Sequence, residues 1–245
     1  MHLGAKPDAG SAYSAGRERE IWDSFRDIID ICNQKKMDLL LIAGDIFHRQ
    51  PLLRELKEMN SVLDMLEQTE VVMIAGNHDY IKKNSYYRPF SWSPHVHMIK
   101  NENMTCVELG NIQTAVYGCS YYSKEIMDPV YDSARPEHRQ KYEILLAHGG
   151  DDRHIPMKVN QIQSLGYDYV AMGHIHKPQE LVENHMAYAG ALEPIDINDT
   201  GTHGYIEGRI SEKGCQIRFV CHASREYIHK DVQVHRAMTG HNLKQ

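Results

Sequence analysis

Two stretches of the chain carry apolar residues at helical spacing. Between residues 17 and 36 these are Ile21, Phe25, Ile28, Ile29 and Cys32. In the second stretch they are Leu52, Leu53, Leu56, Met59, Leu63 and Leu66, with Pro51 in the place of a first helical turn. Short apolar runs follow at 38–43 and 71–75. This alternation of helix and strand predicts a parallel sheet with helices on its face.

The pattern becomes rich in strands after about residue 98. Strands are predicted at 105–109, 113–117, 143–147, 167–172, 185–189, 205–210 and 216–221, and a short helix at 161–165. These strands indicate a second sheet packed on the first. From residue 225 the sequence is polar and poorly patterned. We therefore expect one domain over 1–222 and a polar, frayed tail over 223–245.

Composition narrows the classes of protein that fit. A net charge of −6 does not indicate a nucleic-acid-binding protein, so such a role requires a local basic face. The five cysteines are scattered and lack Cys-x-x-Cys spacing, which is typical of reduced thiols in the cytoplasm. No apolar run reaches the ~18 residues of a membrane span. A cytoplasmic protein without a membrane segment is expected.

Polar residues able to bind metals follow four of the apolar runs. The clusters are Gly44-Asp45, Gly76-Asn77-His78-Asp79, Ala147-His148-Gly149 and Gly173-His174-Ile175-His176. Open α/β sheets place their chemistry beyond the carboxyl ends of the strands. One His pair would be weak evidence, but four such clusters together predict a hydrolase site that holds two metals.

Each residue type suggests a role at such a site. A carboxylate can touch two cations, so Asp45 is the expected bridge, unless it merely caps a turn. An amide oxygen from Asn77 and imidazoles from His148, His174 and His176 complete a mixed set. This set suits Mn²⁺, Fe, Co²⁺ or Zn²⁺ better than Ca²⁺. If their run stays extended, the last two histidines share a face and each can address one metal.

The neighbours of Asn77 are expected to serve catalysis. His78 directly follows this ligand, so it is better placed over the substrate as a general acid or phosphate contact. Asp79 could orient His78 by a hydrogen bond, or it could simply end the turn.

These motifs, in this order, resemble the calcineurin-like metallophosphoesterases over roughly residues 2–210. The resemblance implies a four-layered α/β/β/α sandwich and hydrolysis of a phosphoester by a hydroxide activated between two metals. It also implies the ligand sets. One metal would be held by His2, Asp45 and His176, and the other by Asp45, Asn77, His148 and His174.

A narrower resemblance extends over the segment that follows the first strand. Residues 43–51 resemble the SbcD-type DNA-repair exonucleases, and residues 52–59 and 80–87 resemble their bacterial YhaO branch. In these nucleases the position of His48 lies beside the scissile phosphate. The alternative for His48 is a surface residue ahead of a helix.

The chain departs from the family pattern at both ends. The family opens with a strand ending in Asp-x-His; His2 matches the histidine, but the aspartate and its strand would precede Met1. We expect neighbouring strands with unpaired edges and an uncovered core face. A start assigned too far downstream, a truncated chain and a strand supplied by a partner would each explain this. The family's DNA-capping domain and ATPase-docking segment are not recognised, so an SbcC-like ATPase partner is expected only for a longer parent. A homodimer is an alternative to a monomer.

Three functions compete. The first is a phosphodiesterase acting on DNA in repair, as an exonuclease or endonuclease. Basic residues near the Asp45 and His78 loops support it: Lys35, Lys36, Arg49, Arg54, Lys57, Lys82, Lys83 and Arg88. Tyr80, Tyr86, Tyr87 and Trp92 could stack bases. Among these we expect Arg49, Lys82, Lys83 and Tyr86 to bind substrate. The second function is hydrolysis of a nucleotide or other small phosphoester, and the third is a metal-poor binding scaffold without turnover.

Overall fold

The computed structural model describes residues 1–8, 14–231 and 233. Three α-helices lie within this part of the chain: α1 (Ser14–Lys35), α2 (Leu53–Leu63) and α3 (Val159–Gln163). None of these described helices is long and apolar enough to cross a bilayer.

The first sheet is short and entirely parallel. It contains β1 (Leu39–Ala43), β2 (Glu70–Ile74) and β3 (Val96–Ile99), in the order β1-β2-β3. The helix α2 crosses over from β1 to β2, residues 75–95 connect β2 to β3, and all three strands point the same way. Their carboxyl ends therefore meet at one edge.

The second sheet has six strands in the order β4-β5-β6-β7-β9-β8. These are β4 (Thr105–Leu109), β5 (Thr114–Gly118), β6 (Tyr142–His148), β7 (Tyr169–Gly173), β8 (Gln179–Val182) and β9 (Met186–Tyr188). The inner strands β5, β6, β7 and β9 are parallel, and the two edge strands are antiparallel to them. A separate hairpin is formed by β10 (Gly204–Ser211) and β11 (Gly214–Cys221).

Three hydrophobic cores separate four layers. One core joins α1 and α2 to the outer face of the first sheet through Ile29, Leu56 and Met73. The second lies between the two sheets and includes Val72 and Leu146. The third covers the far face of the second sheet and includes residues of α3 and of the loops that follow β5 and β6. The predicted α/β/β/α sandwich is confirmed.

Most predicted elements agree with the structure to within about three residues at each end. The predictions missed β3 and β8, which are four residues long and only partly buried. Pro51 precedes the N-cap residue Leu52, so its predicted place in the first turn of α2 is wrong.

The segment after β11 also differs from its prediction. Arg225 donates to Glu20 of α1 at 2.7 Å, and Gly201 donates its amide to the Tyr227 carbonyl at 3.2 Å. The first part of the predicted frayed tail is therefore tied to the domain. Residues 234–245 of that tail lie outside the described residues.

A long apolar cavity runs beside β1. In the described part of the chain this strand pairs only with β2, so its other edge faces the cavity. The cavity has a volume of about 510 Å³ and is lined by Leu39 and Leu41 on one side and Tyr169, Ile206 and Ile210 on the other. The cavity leads to the edge where the candidate ligands gather, since Asp45, His174 and His176 also line it.

The two sheets approach most closely where β7 ends. A Cβ added at Gly173 would lie 1.8 Å from the carbonyl oxygen of Ala43 in β1. Only glycine fits at this contact, because neither backbone can withdraw without moving its sheet.

We predict that Gly173→Ala lowers the free energy of unfolding by about 3 kcal/mol, the upper end of overpacking costs. Gly110→Ala is the control, because a Cβ there meets nothing within 4 Å; it should change stability by less than about 1 kcal/mol. Urea unfolding followed by circular dichroism measures both. Equal midpoints for the two variants would contradict the close contact between the sheets.

Candidate metal centre

Four strands end at one edge of the sandwich, and each carries a candidate ligand there. Asp45 follows β1, Asn77 follows β2, His148 is the last residue of β6, and His174 follows β7. The strands belong to two sheets, so their ligands meet only because the sheets pack face to face. The structure brings these four residues together at that edge.

Two glycines allow the loops to come this close. Gly44 has a φ of +78°, and a Cβ there would lie 2.4 Å from His148 Nδ1. At Gly76 a Cβ would lie 2.2 Å from Asp45 Oδ1. Asp45 itself has a φ of +46°, a conformation that aspartate tolerates better than most residues. The backbone thus turns sharply to bring the Asp45 carboxylate to the centre of the site.

One group of ligand atoms surrounds the amide oxygen of Asn77. His148 Nε2 lies 2.9 Å and His174 Nδ1 lies 3.2 Å from Asn77 Oδ1. Asp45 Oδ2 is 3.5 Å from His148 Nε2. These are the four residues that the family resemblance implies for one metal.

A second group lies on the other side of the Asp45 carboxylate. His2 Nε2 is 3.7 Å from Asp45 Oδ2, and the rings of His2 and His176 have centroids 4.7 Å apart. The rings of His48 and His78 lie 5.5 Å and 5.0 Å from that of His2. Asp45 therefore stands between two histidine groups, as a bridging ligand must.

Buried tyrosines fix the backbone of His148. Tyr121 donates its hydroxyl to the His148 carbonyl at 3.1 Å, and the His148 amide donates to the Tyr131 hydroxyl at 3.1 Å. Tyr188 donates to the next carbonyl, that of Gly149, at 2.8 Å. Sequence reasoning missed these tyrosines, because a hydroxyl that bonds to a backbone atom elsewhere in the chain leaves no local pattern.

Burial favours the neutral form of three candidate ligand histidines, His2, His148 and His174. Burial lowers the pKa of His148 to about 4, and burial is also the main cause of the lowered pKa values of His2 and His174. His148 Nδ1 donates to the Ala43 carbonyl at 2.8 Å. A carbonyl only accepts, so the proton is on Nδ1 and the lone pair on Nε2 points into the site.

This donor set fits a divalent cation. His148 Nε2 offers a lone pair toward Asn77 Oδ1, which is itself an acceptor, and the carboxylate of Asp45 is a third acceptor close by. Acceptors that face each other repel unless a positive charge lies between them. Mixed imidazole, amide and carboxylate donors are typical of first-row divalent metals. The family's metal positions are therefore supported by residues of this chain.

The Gly-His-x-His segment does not stay extended, so the condition under which its two histidines would share a face is not met. The strand β7 ends at Gly173, and His174 has a φ of +100°. Its imidazole nevertheless faces the Asn77 group, and His176 faces His2. Each histidine donates its remaining N–H to a carboxylate: His174 to Asp151 and His176 to Asp199. Sequence reasoning named neither aspartate.

Asp79 is a structural brace and not the predicted partner of the His78 ring. Its carboxylate accepts the amides of Gly76, Ile46 and Phe47 and the hydroxyl of Tyr87. The predicted Asp79–His78 hydrogen bond is wrong, because His78 Nδ1 donates to the His48 carbonyl at 3.0 Å. Burial raises the pKa of Asp79 to about 7, with the nearby Asp45 charge adding to the rise, while the four donors favour the carboxylate.

The residues predicted to contact substrate differ in their exposure and in whether they already have a partner. Arg49 donates to Glu55 at 2.7 Å and 3.0 Å, so its guanidinium already has an anionic partner. Tyr87 is fully buried on Asp79, so the prediction that it stacks on bases is wrong. Lys83 and Tyr86 are exposed and Lys82 is half-buried.

The sequence matches a known protein family and several curated proteins. Residues 2–178 match the family model of the calcineurin-like phosphoesterases. YhaO of Bacillus subtilis, described as an uncharacterized metallophosphoesterase, is 29% identical over 198 residues, which are 74% of this chain and 48% of that protein.

Two proteins named Mre11 are also similar to this chain. The DNA double-strand break repair protein Mre11 of Methanocaldococcus jannaschii is 25% identical over 195 residues, 75% of this chain and 53% of that protein. The Mre11 of Saccharolobus solfataricus is 27% identical over 181 residues, 69% of this chain and 46% of that protein. The chain thus spans about half the length of these curated relatives. The predicted resemblance to this branch of the family is confirmed.

We predict that Mn²⁺ raises the melting temperature of the wild-type protein and that Asp45→Asn removes most of this shift. A cation at about 100 times its dissociation constant stabilises the fold by about 2.7 kcal/mol, and Asp45 is the ligand that both groups share. Thermal unfolding with and without Mn²⁺ measures this. His97→Gln is the control, because His97 pairs with Glu70 on β2, outside the site. An undiminished shift in Asp45→Asn would exclude the carboxylate as a bridge.

We also predict that Asp79→Asn is more destabilising than Tyr87→Phe. The tyrosine variant removes one donor, a loss of about 1 kcal/mol, whereas an amide cannot accept all four donors and leaves buried N–H groups unpaired at about 1–3 kcal/mol each. Urea unfolding of the two metal-free variants gives the difference. Equal stabilities would show that the backbone contacts of Asp79 contribute little.

Proposed function

The chain belongs to the calcineurin-like phosphoesterase family, and on that premise we propose that it is a metal-dependent phosphodiesterase that cleaves DNA. The observation that carries the proposal is the position of the Asp45 carboxylate between two groups of ligand atoms, 3.5 Å from His148 Nε2 and 3.7 Å from His2 Nε2. Two further histidines, His48 and His78, lie beside the second group. This arrangement suits phosphoryl transfer, in which positioning and charge neutralisation matter most.

The residues of the site have separate roles in the proposed reaction. When bound, two divalent cations polarise the phosphoryl oxygens and lower the pKa of water. Asp45, Asn77 and the ligand histidines fix where these charges sit. His78 Nδ1 donates its N–H to the His48 carbonyl at 3.0 Å, so in the imidazolium form the second proton is on Nε2, which can donate it to the leaving oxygen. We propose His78 as the general acid and His48 as a contact to the phosphate.

DNA is proposed as the substrate because of exposed groups near the catalytic histidines. Gln50 donates to the Tyr80 carbonyl at 2.9 Å, so the loop containing His48 is joined to the segment that carries Lys82, Lys83 and Tyr86. Basic side chains can contact phosphates and an exposed aromatic ring can stack on a base. The Mre11 relatives are named for DNA double-strand break repair. We propose a role in DNA repair from that likeness, and an ATPase partner for a longer protein stays an expectation from the family resemblance.

A small phosphoester is the second candidate substrate. Two groups that a nucleic-acid site would use are already engaged, since Arg49 is paired with Glu55 and Tyr87 is buried on Asp79. The net charge of −6 also gives no general attraction for a polyanion.

We propose Mn²⁺ as the cation, because the ligands combine imidazoles with carboxylate and amide oxygens. Fe, Co²⁺ and Zn²⁺ are the alternatives. Parallel assays with each metal, added to protein freed of metal by chelation, rank them.

The test compares hydrolysis of bis(4-nitrophenyl) phosphate and of single-stranded DNA in Mn²⁺. We predict that His78→Ala lowers kcat for DNA by about 10²–10⁴-fold, the usual range for a general acid, while the Mn²⁺-induced thermal shift stays. The loss should be much smaller for the activated ester, because its nitrophenolate leaves without taking up a proton. His97→Gln serves as the control and should keep wild-type activity.

The outcomes separate the candidate functions. DNA cleavage that weakens steeply with salt supports the nuclease. Cleavage of small esters alone favours the second candidate. A protein that binds Mn²⁺ but turns over neither substrate would be a scaffold, and the proposal would fail.

A further inference from the structure

A carboxylate outside the group of ligand atoms accepts a hydrogen bond from the His174 imidazole. The Nε2 of His174 lies 2.8 Å from Asp151 Oδ2. Asp151 is itself fixed, because it accepts the backbone amides of Arg153 at 2.8 Å and His154 at 3.0 Å. The side chain of His154 also donates to it at 2.9 Å. The Asp151 side chain is 46% exposed, and these three further donors restrain its orientation.

The His176 imidazole has a second carboxylate. Its Nδ1 lies 3.1 Å from both oxygens of Asp199. Asp199 accepts the amide of Ile195 at 2.9 Å, and its side chain is only 11% exposed. This aspartate therefore has few orientations open to it.

The two contacts engage opposite nitrogens of the two rings. An ionised carboxylate has no proton to donate, so the proton must be on Nε2 of His174 and on Nδ1 of His176. The lone pair then remains on Nδ1 of His174, the atom that lies 3.2 Å from Asn77 Oδ1. In His176 it remains on Nε2, on the side away from Asp199.

We propose that Asp151 and Asp199 are positioning residues that fix opposite tautomers of His174 and His176 and thereby assign each histidine to a different cation. The inference rests on the proposed function only in taking two cations as the ligands of this centre. Asp151 supports the cation bound by Asp45, Asn77 and His148. Asp199 supports the cation bound by Asp45 and His2.

Asparagine is the informative substitution at both positions. Its amide keeps the shape of the carboxylate but can donate a hydrogen bond, which stabilises the other tautomer and leaves the ligand nitrogen protonated. Loss of such a partner typically lowers metal affinity about 10–100-fold. We expect a loss of this size at one cation in Asp151→Asn and at the other in Asp199→Asn.

The first experiment reads the tautomers directly in the wild-type protein. Long-range ¹H–¹⁵N correlation spectra of the metal-free protein distinguish a protonated Nδ1 from a protonated Nε2, with His174→Gln and His176→Gln used for assignment. Opposite tautomers support the proposal. The same tautomer in both histidines overturns it, whether or not the asparagine variants fold.

The second experiment counts cations by Co²⁺ titration, followed by absorption and calorimetry. Asp151→Asn and Asp199→Asn should each weaken one of two binding steps about 10–100-fold, with metal-free melting temperatures near that of the wild type. Glu70→Gln is the matched control, because Glu70 accepts from His97 at 2.9 Å outside the site. If neither variant weakens a step, or if both weaken the same one, the assignment is wrong.

Neither readout involves substrate. Opposite tautomers and two separate losses of affinity would stand even if no phosphodiester were cleaved, and in that case only the proposed activity would fail. If the protein cleaved a phosphodiester but His174 and His176 had the same tautomer, the proposed activity would stand and the tautomer assignment would fail.

Discussion

The hydrogen bond from His148 Nδ1 to the Ala43 carbonyl joins the two sheets at the edge where the ligands gather. It spans 2.8 Å between β6 of the six-stranded sheet and β1 of the three-stranded sheet. The contact exists only because Gly44 and Gly173 leave no side chain between the two backbones. It also orients the imidazole, since the nitrogen that bonds the carbonyl cannot be the one that binds a cation. Sheet packing and ligand chemistry thus depend on the same few atoms.

The centre brings hydrogen-bond acceptors close together, so bound cations are expected to stabilise the protein. Burial favours the neutral forms of His2, His148 and His174 by lowering their pKa values. The lone pairs of His148 Nε2 and His174 Nδ1 face Asn77 Oδ1 without a proton between them. Buried polar groups without partners cost about 1–3 kcal/mol each. The rest of the fold must offset that cost in the metal-free protein, through the tyrosines under β6 and the backbone contacts of Asp79.

Charged and aromatic groups near the site serve structure as well as recognition. Arg49 holds Glu55, which also accepts the amide of Leu52 at the start of α2, and Tyr87 supports Asp79. These contacts brace the loops that carry the catalytic histidines. Lys83 and Tyr86 are exposed instead and are free to meet a substrate. The choice between DNA and a small ester as substrate therefore depends on how many of the basic and aromatic groups are exposed and how many only brace the loops.

The sequence by itself predicted two packed sheets and candidate ligands at their strand ends, because both are local patterns. The four-layered order was implied by the family resemblance. An apolar run followed by Asp45, Asn77 or His148 indicates a strand end, and parallel strand ends share one edge. Only the tertiary structure decided which side chains support them. Asp151 and Asp199 each lie 23 residues from the histidine they bind, in segments without periodicity. The burial of Tyr87 was likewise set by packing, since spacing in the chain does not specify contacts between loops.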